Sequence, residues 1–227
     1  MNKKPVLHFF ILLVFAVIIS GCATTTQKAL GEAGRTLDLN DGSILLFTVS
    51  LKNNSYPNTK MTVGSVLLSD PSGDVDSNQY KLVGKAVRNT SGTVQFIAIK
   101  LQTGNYKLIS LNGSARGGLF AGNFNVPIFQ TLYVPIGKIM YLGRINATNR
   151  KRRNSDEVRS GSVIPVIDQA ALGLSTGTFD VEILDKYDED TLLSTNVFPA
   201  LYAKKIERDI LPAWQRPTRE EIEIQTE

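Results

Sequence analysis

Val94-Gln95-Phe96-Ile97-Ala98-Ile99-Lys100-Leu101 reads as a β-strand with two buriable faces. Successive side chains in a strand point to opposite sides, so Val94, Phe96 and Ala98 share one face while Gln95, Ile97, Ile99 and Leu101 share the other. A strand covered on one side alone would alternate apolar and polar, whereas this one can pack on both. Outward from it, β-rich runs are separated by Gly, Asn, Asp and Pro clusters, and strands are expected near residues 43–51, 63–69, 80–87, 93–101, 105–111, 129–134 and 138–147. Short strands at this spacing predict a mainly β protein, an antiparallel β-sandwich.

The sandwich is expected over residues 36–214, with a small helical C-terminal portion from about 188. Phe179-Asp180-Val181-Glu182-Ile183-Leu184 alternates and should add a closing strand, with Phe179, Val181 and Ile183 inward. Asp188 or Asp190 is placed to cap a short helix over 191–196. Pro199 suits the first turn of a second helix that runs to about Ile210 with Leu201, Lys205 and Arg208 at helical spacing, and Pro212 ends it. The remainder, 215–227, is an acidic tail.

At the other end, Lys3 and Lys4 precede the apolar run 6–19, and the small residues Ser20 and Gly21 follow it. This is the pattern of a secretory signal over residues 1–21. The run is shorter than the roughly 20 residues of a spanning helix, so cleavage rather than a permanent transmembrane anchor is expected. Ile19-Ser20-Gly21-Cys22 resembles the lipobox of bacterial lipoproteins. That resemblance implies that Cys22 is the lipidation site and first mature residue, with acyl chains that hold the protein at a bilayer. Ala23, in place of the aspartate that retains such proteins in the inner membrane, implies the outer membrane, facing the periplasm. Residues 22–35, small and Thr-rich, read as a lipidated tether.

Losing the leader restricts the chemistry. His8 is the single histidine and Cys22 the single cysteine, so a processed, acylated chain has neither imidazole nor thiol. Ser/His/Asp and Cys/His catalysis and Cys/His zinc sites are thereby excluded, as are internal disulfides. The formal charge of +4 also loses the contributions of Lys3 and Lys4, which removes any electrostatic case for nucleic acid. No cofactor is expected.

The segment Phe96-Ile97-Ala98-Ile99-Lys100-Leu101-Gln102-Thr103-Gly104-Asn105-Tyr106-Lys107-Leu108 resembles the strand, turn, Thr-Gly-x-Tyr, strand element of carboxypeptidase-regulatory-like (transthyretin-like) sandwiches. Val134-Pro135-Ile136-Gly137-Lys138-Ile139 and the strand after it are similar to the turn and penultimate strand of lipoproteins that carry such domains. Gln102-Thr103 stands where proline is common in that family. The resemblance implies a hairpin with the tyrosine packed back across it, and a binding or scaffolding module rather than an enzyme.

Candidate functional residues are few. Asn149-Arg150-Lys151-Arg152-Arg153 is a basic run in which Arg150, Lys151, Arg152 and Arg153 could meet lipid phosphates or an acidic partner; a solvated loop is the plainer reading. Asp185, Asp188 and Asp190 sit in an oxygen-rich cluster able to hold calcium, although the spacing is not that of an EF-hand. Asp70, Asp74 and Asp76 lie in a Pro/Gly turn. Gly117-Gly118-Leu119-Phe120-Ala121-Gly122 lacks the Gly-Lys-Ser/Thr ending of a phosphate loop and reads as a flexible surface loop. Trp214 and Tyr133 could stack on a sugar, but packing is the better reading of a lone aromatic.

Together these features predict a lipid-anchored binding or structural module of the outer membrane with an envelope protein partner docked at a sheet edge or the acidic tail. The alternative is a hydrolase of an envelope glycan that uses a carboxylate pair near 185–190.

Overall fold

A computed structural model describes residues 27–28, 37, 39–69, 78–81, 86–89 and 92–223. The leader, Cys22, most of the tether, the 70–76 turn and residues 224–227 lie outside the described residues. The strands are β1 (Gln27–Lys28), β2 (Gly42–Asn53), β3 (Lys60–Ser69), β4 (Asn78–Lys81), β5 (Ala86–Asn89), β6 (Gly92–Gln102), β7 (Gly104–Gly117), β8 (Phe120–Val134), β9 (Ile139–Lys151), β10 (Gly177–Leu184) and β11 (Glu207–Arg208). Helices α1 (Val166–Ala171), α2 (Tyr187–Val197) and α3 (Arg219–Glu223) complete the mainly β fold, and none is long and apolar enough to cross a membrane.

One sheet has the order β1-β4-β3-β7-β8 and the other β10-β9-β2-β6-β5. Their facing sides form one core, to which β3, β7 and β8 contribute Val66, Leu111 and Val126, and β2, β6 and β9 contribute Phe47, Ile97 and Leu142. The second sheet is apolar on its outer side as well. There Ile44, Leu46, Val94, Phe96, Ala98 and Tyr141 pack beneath Phe198, Leu201 and Ile206. The two faces read from residues 94–101 thus meet two layers: the opposite sheet on one side and a C-terminal roof on the other.

Several expectations are corrected. Not every pairing is antiparallel: β2 runs parallel to β9, β1 to β4 and β11 to β9. Where no short turn joins neighbours, nothing forces them to run in opposite directions. The Phe96 to Leu108 segment is no hairpin, because β6 and β7 belong to different sheets and the chain crosses the sandwich at Thr103. Tyr106 goes into the shared core instead. The true hairpin is β7–β8, and Gly118, at φ +59°, makes its tight turn where residues 117–122 read as a flexible loop.

The C-terminal helices also differ from expectation. α2 begins at Tyr187, so neither Asp188 nor Asp190 caps it; the Asp185 carboxylate accepts from the Tyr187 N–H. Pro199 opens a single 3₁₀ turn, Pro199–Leu201, and Ala203 at φ +57° turns the chain away from helix. Of the three positions at helical spacing, Leu201 alone is apolar, so no continuous stripe holds a longer helix to the sheet. Ile206 packs into the roof and β11 pairs with β9 instead.

Candidate functional site

The acidic cluster divides. Asp190 points inward and is fully buried, accepting hydrogen bonds from Thr48 Oγ1 of β2 (2.6 Å) and Tyr141 Oη of β9 (2.5 Å) and pairing closely with Arg144 of β9. Glu189 reaches the same guanidinium at 3.1 Å. Burial pushes the Tyr141 phenol up, and the Asp190 carboxylate beside it adds to the shift. Burial alone would lower Arg144, but Asp190 and Glu189 outweigh it and hold the guanidinium above its ordinary value. Asp185 and Asp188 remain at the surface against Arg208, at 3.4 and 3.7 Å. The proposed calcium ligands are therefore not brought together, and no metal-ligating cluster occurs among the described residues. Asp190 instead latches α2 to the sheet.

The convergence on Asp190 follows from one glycine. Along β9, Met140 and Leu142 face the shared core, and strict alternation would send Arg144 there too. The register of β2 against β9 shifts between Leu46 and Thr48, where Gly143 takes φ +105°. The irregularity reverses the parity, so Ile145 and Ala147 enter the core while Arg144 joins Tyr141 on the roof side. A Cβ at Gly143 would also approach Leu184 O to 3.1 Å.

The basic run is likewise divided. Arg150 is turned into a ring of ion pairs, with Glu157 at 2.6 Å and Asp180 at 2.6 Å, which Arg216 joins through Asp180. Glu157 also accepts from the Arg153 backbone N–H at 2.7 Å, and Arg152 donates to the Glu157 carbonyl at 3.2 Å. Arg150 is therefore engaged internally, while Lys151 and Arg153 are exposed. The Arg150 contact, then the Arg153 N–H, hold the Glu157 carboxyl down at about 2 against the opposing effect of burial.

A concave site lies elsewhere, on the outer face of the sheet that contains β3, β7 and β8. It is a groove of about 760 Å³, within the ~300–1,000 Å³ typical of ligand sites. Ser110 and Asn112 of β7 and Asn123, Asn125 and Pro127 of β8 line it, with Arg159 and Ile222 among its wall residues. Among the described residues Arg159 is the one charged side chain of the lining, to which they contribute no Asp, Glu, Lys or His. At the register shift between Leu108 and Ser110, both Ile109 and Ser110 come to the groove. Across from it Phe129 also lines the groove at φ +54°, a conformation that costs a bulky residue energy.

The wall is preorganised. Ser160 accepts from the Asn125 N–H at 2.7 Å, and its hydroxyl donates to Asn149 Oδ1 at 2.7 Å. Gly161 lies so close to β8 that a Cβ would sit 2.6 Å from Asn123 O. Of the aromatics considered for sugar stacking, Trp214 donates to Pro127 O at 3.0 Å and is half-buried, whereas Tyr133 is exposed on β8.

None of the groove's polar residues stood out in the sequence. Their signal was the interruption of apolar strands by Ser110, Asn112 and Asn125, which marks a polar sheet face but gives no hint of a concavity. Arg144, alone among apolar neighbours, was the corresponding signal for the buried latch. Compared with known proteins, the chain matches no family model, no curated protein and no solved structure.

Proposed function

We propose that the protein is a lipid-anchored binding module of the outer membrane, attached through Cys22 and presenting the groove of β3, β7 and β8 to the periplasm. One observation carries the binding part: among the described residues the groove offers amides and hydroxyls but no carboxylate. Glycan hydrolysis needs two carboxylates ~5–10 Å apart across the substrate. Against that alternative, Asp190 is buried on the inner side of α2 and bound to Arg144, Tyr141 and Thr48. The anchoring part rests on Ile19-Ser20-Gly21-Cys22 behind its apolar run, and on Ala23 for the choice of membrane.

An envelope protein partner belongs to the same reading. Leu119, Ile164 and Ile167 are 99%, 77% and 73% exposed, apolar side chains available to a protein partner. Lys151 and Arg153 offer exposed cations to an acidic partner or to lipid phosphates.

Sucrose-gradient fractionation of cells that express the parent and Cys22→Ser chains tests the anchor. The parent should be acylated and travel with outer membranes, and Cys22→Ser should remain an unprocessed precursor. Normal processing of Cys22→Ser would end the lipoprotein reading, and a dominant inner-membrane peak for the parent would end the outer-membrane assignment.

A further inference from the structure

Hydrogen-bonding groups at the groove that lack partners among the described residues define its ligand. Asn125 donates from Nδ2 to Asn112 Oδ1 at 2.6 Å, an arrangement that leaves the Asn112 amide N–H groups and the Asn125 carbonyl oxygen without partners among the described residues. Ser110 is 2% exposed, and its Oγ has no hydrogen-bond partner among the described residues. Native structures rarely leave a buried hydroxyl unpaired, so one among the lining of a concavity calls for a partner, which a ligand hydroxyl or a bound water supplies. Beside these groups Leu67, Ile109, Pro127 and Phe129 are among the apolar residues of the lining. The Lys107 ammonium stands 4.9 Å from the centroid of the Phe129 ring and helps hold that ring in place.

Three classes of ligand fit this surface poorly. A strongly charged ligand would find one charged side chain, Arg159, in the lining formed by the described residues, the nearby Lys107 ammonium being engaged on the Phe129 ring. A wholly apolar one would cover Ser110, Asn112 and Asn125 without pairing them, which is unfavourable. An extended peptide cannot add as a strand over the floor, where β3, β7 and β8 pair with one another, and the free edge of β8 is taken at Asn125 by Ser160 O. A sugar ring combines the two features required, apolar C–H faces and a rim of hydroxyls that both donate and accept.

We infer that this groove binds a neutral saccharide chain, with a ring face against the half-buried Phe129 and hydroxyls on Ser110, Asn112 and Asn125. The inference rests on the reading of the groove as the binding surface and extends it to the chemistry of the ligand. Ser110 and Asn112 follow one another on the outer side of β7, about 7 Å apart, a spacing that lets successive positions along one chain be read together.

The test is retention of the detergent-solubilised full chain on an array of immobilised neutral and acidic oligosaccharides, alongside apolar hexapeptides. Retention on neutral oligosaccharides is expected. Asn112→Ala, Asn125→Ala and Phe129→Ala should each weaken it about tenfold, the effect of one lost hydrogen bond to a buried polar group or one lost stacking contact. Ser110→Ala separates recognition from folding. Removing an unpartnered buried hydroxyl should leave the melting temperature unchanged or raised, yet weaken retention several-fold. No retention on any saccharide, retention that all four variants keep, or preference for the apolar peptides would each overturn the inference. Solubilised protein is used, so a failure here is distinct from a failure of the anchor, which fractionation reads.

Discussion

The two outer faces of the sandwich differ in kind although the sheets share one core. The face of β2, β6 and β9 presents Ile44, Leu46, Phe96 and Tyr141 and is roofed by α2, the 3₁₀ turn and Ile206. The face of β3, β7 and β8 carries the half-buried Asn112 and Asn125, with Ser110 and Pro127 buried beside them, and is left as a groove. An apolar face must be covered, so the first is committed to stability. A face of small polar residues can stay open to solvent, so the second is free for recognition. Both carry buried polar groups, but Asp190 is satisfied within the chain whereas the Ser110 hydroxyl has no partner among the described residues.

The largest effect should come from unlatching the roof. Asp190→Ala leaves Arg144 buried without its main partner, which costs about 3–5 kcal/mol for a broken buried pair. Denaturant unfolding measures it, with Asp188→Ala as the control, since Asp188 is 94% exposed. Equal effects of the two substitutions would refute the latch. Next comes a direct comparison of leucines on the two faces. Leu46→Ala beneath the roof should cost about 3 kcal/mol through lost burial and a cavity. Leu67→Ala, half-buried at the groove, should cost under about 1 kcal/mol because little burial is lost. A larger loss at Leu67 would mean that the open face is covered in solution.

What was legible in the sequence follows the reach of each signal. The two-faced strand at 94–101 foretold two covering layers, and alternation at 179–184 foretold β10, because both are local periodicities. The latch was not legible: Thr48 and Asp190 are 142 residues apart, and the parity break at Gly143 hides which face Arg144 takes. Crossing of the sandwich at Thr103 was missed because a turn motif does not say which sheet receives the next strand. The groove was missed because its walls, Val158, Arg159 and Ile222, come from segments distant from its floor. Gly143→Ala tests the parity argument, with an expected cost of about 1–3 kcal/mol for a non-glycine residue at positive φ. An unchanged denaturation midpoint would show that the strand can accommodate a side chain there, and Arg144 would need another explanation.

The smallest effect should distinguish the faces by pH. Glu157, next to the wall residues Val158 and Arg159, is held by Arg150 and the Arg153 N–H at about 2, below its ordinary 4.5. A carboxyl with a depressed folded-state pKa stabilises the protein above the unfolded value, and that contribution disappears as pH falls from about 4.5 towards about 2. Glu157→Gln removes it at every pH. The melting-temperature gap between parent and variant should therefore be constant above pH 5 and close on acidification. Hydrogen exchange should show where the loss falls: residues 154–162 should loosen in acid while α2 stays protected, since no part of the Glu157 ring touches the roof latch. Loosening of α2 first would reverse the assignment and make the roof the acid-sensitive face.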